Sequence, residues 1–126
     1  MAAAILWVGH LPFDSERAAA KASQIFGEDR RVKHFYDDDE LMGQALSTQL
    51  RWSYTAWDFY LFYDPDARWE AAPPVARTYL HQMGRYMDDE HFHSGPDLIA
   101  GLGAAAREAF AAPPPETDQP GASSSR

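Results

Sequence analysis

The run Trp57-Asp58-Phe59-Tyr60-Leu61-Phe62-Tyr63 is aromatic or aliphatic at every position but Asp58. A strand turns alternate side chains to opposite faces, so a strand through this run needs apolar cover on both. That demand favours helices layered against a sheet, and the rest of the chain supplies them.

Three segments carry helical periodicity. Asp14 is placed to cap a helix over 15–26, whose Ala18, Ala22, Ile25 and Phe26 share a face and which stops at Gly27. A second is predicted over 40–50, with Met42, Ala45, Leu46 and Leu50 on one side. Asp37, Asp38 and Asp39 precede it, where the positive end of the helix dipole favours acids. The third opens at Gly95-Pro96-Asp97 and turns Leu98, Leu102, Ala105, Ala109 and Phe110 toward the core.

Between them lie β-type runs at Ile5–Val8, Val32–Tyr36 and Trp57–Tyr63. Asp64-Pro65-Asp66-Ala67 has turn chemistry, so Arg68-Trp69-Glu70 is expected to return as a hairpin partner. The order strand, helix, strand, helix, strand, strand, helix implies parallel crossovers followed by an antiparallel edge. The fold class is α/β, in one domain over residues 1–112. The Pro-, Gly- and Ser-bearing stretch 113–126 has no apolar periodicity and reads as a disordered tail, with proline-rich docking as its alternative use.

Composition narrows the function. With 19 acidic against 11 basic side chains the formal charge is −8, which repels nucleic-acid phosphates and anionic membranes. The longest apolar run, Ala2–Val8, is too short to cross a bilayer, and it lacks the basic flank of an export signal. A cytosolic location is therefore expected, with export of a longer precursor left open. There is no cysteine, which excludes disulfides, thiolate nucleophiles and cysteine-ligated metals in this chain. No nucleophile elbow or phosphate-binding glycine loop is present, and no cofactor is implied.

The element order and wording, ILWVGHL with PFDSE, then VKHFYDDD, WDFYLFYDPDARW and GPDLIAGL, resemble the thioredoxin-like fold over roughly residues 4–110. The resemblance implies a three-layer arrangement: a mixed sheet with helices on both faces, closed by a hairpin and a last helix. In that register the family's first strand and the helix bearing its two-cysteine motif would precede Ile5. The cis-proline that faces those cysteines would fall just before Trp57, where Ser53-Tyr54-Thr55-Ala56 stand. Residues 71–93 are longer than the family's usual connection.

Several residues are candidates for chemistry. Asp88-Asp89-Glu90-His91-Phe92-His93 would aim two imidazoles to one side of a strand, and with His81 or an acid they form a candidate Zn²⁺, Cu²⁺ or Ni²⁺ site. The bland alternative is an acidic loop with incidental histidines. Asp58, in an apolar strand, is a candidate acid or base, or else an acid paired with Arg51 or Arg68. His34 is a candidate proton carrier or a packed residue. The aromatics between Trp52 and Trp69 could line a ligand cleft, but a core role suits them better.

The reading that follows is a noncatalytic thioredoxin-like domain that works by association, with itself or with a protein partner covering an incomplete sheet flank. The alternatives are a metal protein or enzyme built on His81, His91 and His93, and a piece of a thiol oxidoreductase.

Overall fold

In the computed structural model the described residues are 2–84, 86–87 and 89–111; Asp88 and the expected tail lie outside them. The chain runs β1 (Ala3–Val8), α1 (Glu16–Ser23), a 3₁₀ turn (Gln24–Phe26), β2 (Val32–Asp37), α2 (Leu41–Leu50), β3 (Phe59–Phe62), β4 (Thr78–His81) and α3 (Gly95–Ala111). The architecture is mixed α/β.

The strands form two two-stranded sheets, where the sequence implied one. β1 and β2 pair in parallel from Ala3↔Val32 to Val8↔Asp37, with Leu6 beside Phe35. β3 and β4 pair antiparallel, Phe59 opposite His81 and Phe62 opposite Thr78. The long central strand is shortened at its start by Asp58, whose φ of 59° lies in the left-handed region and breaks extended geometry. Trp57 consequently stays outside the ladder, and β3 is four residues long.

The hairpin partner also differs. The turn at 64–67 forms, with Ala67 N–H donating to the Asp64 carbonyl at 3.0 Å. Residues 68–70 do not join the ladder, and Trp69 instead meets the Tyr63 ring edge-on at 5.8 Å. The chain returns later, where Arg77 N–H reaches the Phe62 carbonyl at 2.7 Å and the Arg77 guanidinium pairs with Asp64 at 3.2 Å.

Helix α1 is capped by Ser15, whose hydroxyl accepts from Ala18 N–H at 3.2 Å, rather than by Asp14. Asp14 is one residue too early and serves the preceding turn, accepting from the N–H groups of His10 and Leu11 at 3.1 and 2.6 Å. Ala19 is the buried position of α1, while Ile25, expected inside, is 80% exposed where the helix tightens into its last 3₁₀ turn. Asp37 caps α2 by accepting from Leu41 and Met42 N–H at 3.0 and 2.9 Å. α3 begins at Gly95, and its Leu98 and Ala105 pack with Leu80 against Tyr60, Phe62 and Leu102. This cluster packs on the C-terminal sheet, while Ala19, Leu46, Ala56 and Met83 are buried outside it. No helix among the described residues is long and apolar enough to cross a membrane.

Candidate functional site

The histidine-rich segment is drawn together by backbone bonds. His81 N–H donates to the His91 carbonyl and His93 N–H to the His81 carbonyl, both at 3.0 Å, which lays residues 91–93 parallel to the end of β4. The imidazoles nevertheless do not converge. His81 has no exposed surface; its Nδ1 accepts Met83 N–H at 3.2 Å, so Nε2 carries the proton and donates to Asp89 at 2.9 Å. Phe59 stacks on the ring at 5.3 Å and Trp52 meets it edge-on at 5.1 Å.

His91 donates from Nδ1 to the Tyr79 carbonyl at 3.0 Å and stacks on the Tyr79 ring at 3.9 Å. His93 donates from Nδ1 to the His91 carbonyl at 3.1 Å and lines a shallow open depression with Phe92, Ser94, Asp97 and Gly101. A metal requires free lone pairs aimed at one point, and His81 has none to offer. Among the described residues no three His, Asp or Glu side chains come together as a metal centre. Of the three histidines named from the sequence, His81 is committed to the protein on both ring nitrogens, and its pair with the partly exposed Asp89 is a structural clasp.

The other candidates are similarly engaged. Asp58 accepts from the Gln82 amide at 3.1 Å, and the same amide reaches the Tyr60 hydroxyl at 2.9 Å, so Gln82 takes the place foreseen for Arg51 or Arg68. Burial, and then the Asp58 charge, push the Tyr60 phenol above its ordinary range. His34 accepts from the Trp7 indole N–H at 3.2 Å and is flanked by Phe26, as a packed residue would be.

A different cluster lies outside the carboxyl ends of the two parallel strands. His10 follows β1 and Glu40 follows β2; because the strands are parallel, their ends bring the two side chains together, and His10 Nδ1 is bonded to Glu40 Oε1. The imidazole stacks on Trp57 with ring centres 4.9 Å apart. Asp14 fixes the backbone on either side of this ring through its two bonds to His10 and Leu11. Glu40 has φ 55°, a conformation that a non-glycine residue keeps only when its surroundings impose it.

No protein-family model, curated protein or solved structure matches the chain. The His10 cluster thus stands on geometry: a carboxylate orients an imidazole through Nδ1, an aromatic face supports it, and Nε2 has no partner among the described residues. Such an imidazole can exchange a proton with a bound group or accept a hydrogen bond from one. Sequence reasoning missed it because each residue is unremarkable alone. The available signal was topological, since open α/β sheets place sites at the carboxyl ends of their parallel strands.

Proposed function

We propose that this chain is a thioredoxin-like domain without thiol chemistry that acts by self-association. The observation that carries the association is the openness of the N-terminal sheet. Among the described residues it has two strands, and Leu6 and Phe35, neighbours in register, leave 36% and 56% of their surface exposed on the face turned away from α1. Open edges beside exposed apolar side chains are surfaces that a second chain covers.

Two features support the thioredoxin-like part. One is the element order. The other is the stacking of His10 on Trp57, which sets the β1–α1 turn against the segment preceding β3. In the family the turn into the motif-bearing helix faces the cis-proline segment. That relationship suggests a different register of the resemblance, in which β1 and α1 are the motif-bearing unit. His10-Leu11-Pro12-Phe13 then occupies the place of the two cysteines, and the thiols are replaced rather than missing. The same register makes the His10–Glu40 pair the polar feature of the former redox position.

Sedimentation equilibrium of the full chain over a wide concentration range tests the association. A dimer or larger species that dissociates on dilution is the expected result. A monomer throughout overturns the proposal.

A further inference from the structure

The association proposed above leaves its edge and register open, and β2 carries enough detail to assign both. In the β1–β2 ladder Ala3 N–H bonds the Arg31 carbonyl at 2.8 Å and Gly9 N–H the Asp37 carbonyl at 3.0 Å. Backbone polar groups alternate sides along a strand, so the odd-numbered residues of β2 bond to β1. His34 and Tyr36 therefore turn their N–H and C=O groups to the outer edge.

The side chains of β2 divide the same way. Tyr36 lines a small cavity with Trp7, Ala18 and Ala22, so the even-numbered residues face α1. Lys33, Phe35 and Asp37 fall on the opposite face, beside Leu6.

Charge along this edge is polarised. Arg30, Arg31 and Lys33 stand at its amino end, Asp37, Asp38 and Asp39 at its carboxyl end, and Phe35 between them. Arg31 is held by Asp29 at 2.6 Å, which leaves Arg30 and Lys33 as the outward cations. A parallel copy would set like charges together, whereas an antiparallel copy sets each block against its opposite. We infer that two copies of this chain pair along β2, antiparallel, about a two-fold axis passing through Phe35.

Three constraints meet in that register. The outward backbone groups of His34 face those of the second copy's Tyr36, as an antiparallel ladder requires. Lys33 lies opposite the second copy's Asp37, whose carboxylate keeps its bonds to the first N–H groups of α2 and meets the ammonium by charge alone, and symmetry repeats the pair. Phe35 lies opposite its own counterpart, giving an unbroken apolar row from Leu6 through both phenyl rings to the other Leu6. Moving the axis to His34 or Tyr36 keeps the backbone pattern but sets Phe35 against a lysine or an aspartate.

The absence of native cysteine makes the test direct. In an antiparallel pair that does not exchange hydrogen bonds, opposite Cα atoms are about 4.5 Å apart, within the range of a disulfide. Phe35→Cys is expected to form a covalent dimer under mild oxidation about tenfold faster than Lys33→Cys or the exposed Ile25→Cys. Lys33→Glu, which faces Asp37 twice across the axis, is expected to weaken the dimer about tenfold at low salt. A dimer that persists while Phe35→Cys cross-links no faster than the controls overturns this interface and leaves self-association standing. An unchanged dissociation constant in Lys33→Glu overturns the register. A chain monomeric at every concentration removes both.

Discussion

His81 and Asp89 are joined across the loop that follows β4: the fully buried imidazole donates from Nε2 to Asp89 Oδ1 at 2.9 Å, and the same oxygen accepts His91 N–H at 2.8 Å. Partial burial opposes ionisation of Asp89, but these bonds outweigh it and hold the carboxyl below its ordinary range. A carboxyl whose folded pKa is depressed stabilises the fold above its unfolded value, near 3.8, and the contribution is lost as pH falls through the lower folded value. Asp89→Ala should cost about 1–3 kcal/mol at neutral pH by leaving the buried His81 N–H without a partner. Urea unfolding at pH 7 and at pH 3 checks both parts: the deficit should be large at pH 7 and smaller at pH 3.

Ser47, in the middle of α2, ties the helix to the segment before β3. Its hydroxyl accepts Ala56 N–H at 2.8 Å and lies 2.5 Å from the Tyr54 carbonyl, to which it donates. Ser47 and Ala56 are both buried. Ser47→Ala is expected to destabilise by about 1–3 kcal/mol, more than an exposed serine in a helix, because the lost acceptor leaves backbone groups dry and poorly paired. Chemical denaturation beside an exposed Thr48→Ala control measures the difference.

These two contacts show where the sequence was readable. The helices were legible because their apolar spacing and caps are local: Gly95-Pro96-Asp97 starts α3, and the acidic run that begins at the last residue of β2 starts α2 through Asp37. The hairpin partner was not legible, because a turn signal at 64–67 says nothing about whether the next residues find a ladder. Thr78–His81 won that place through long-range bonds such as Arg77 to Phe62. The site was less legible still. His81 and His91 are joined through their backbones, yet the direction of each ring is set by Met83, Asp89 and Tyr79, and spacing carries no trace of that.

Gly43 sits on the face of α2 that touches residues 55–56. A Cβ there would run into the Ala56 carbonyl oxygen and approach Thr55 Cγ2 to 2.8 Å, and the first obstacle is backbone that cannot rotate away. Alanine normally favours a helix interior over glycine by about 1 kcal/mol. At Gly43 the sign should reverse, with Gly43→Ala destabilising by about 1–3 kcal/mol. Half-buried Gly103, where the nearest contact is the flexible Arg107 guanidinium at 3.4 Å, is the control: Gly103→Ala should stabilise. Thermal melts of the two variants should move in opposite directions.

Glu40 combines a left-handed backbone with its bond to His10. Glycine relieves the conformational cost, about 1 kcal/mol, but also removes the carboxylate. In a His10→Ala background Glu40→Gly is therefore expected to stabilise by about that amount, and with His10 present the gain should be smaller. Denaturant midpoints of the four proteins in this cycle give the coupling. Equal gains in both backgrounds would show that the His10–Glu40 bond contributes nothing to the fold.

Tyr63 ends the aromatic run that opens the chain's central segment, and its hydroxyl is buried without a hydrogen-bond partner among the described residues. Burial alone pushes the phenol above its ordinary range, as desolvation without a compensating bond should. A buried hydroxyl with no partner costs folding free energy that a phenyl ring does not. Tyr63→Phe keeps the ring and its edge-on contact with Trp69, so it is expected to raise stability by about 1 kcal/mol. Tyr60→Phe, which removes an acceptor used by Gln82 at 2.9 Å, should instead lower it. Urea titrations of both variants decide the matter: if Tyr63→Phe is destabilising, the hydroxyl has a partner in solution and Tyr63 belongs to a polar contact rather than to the core.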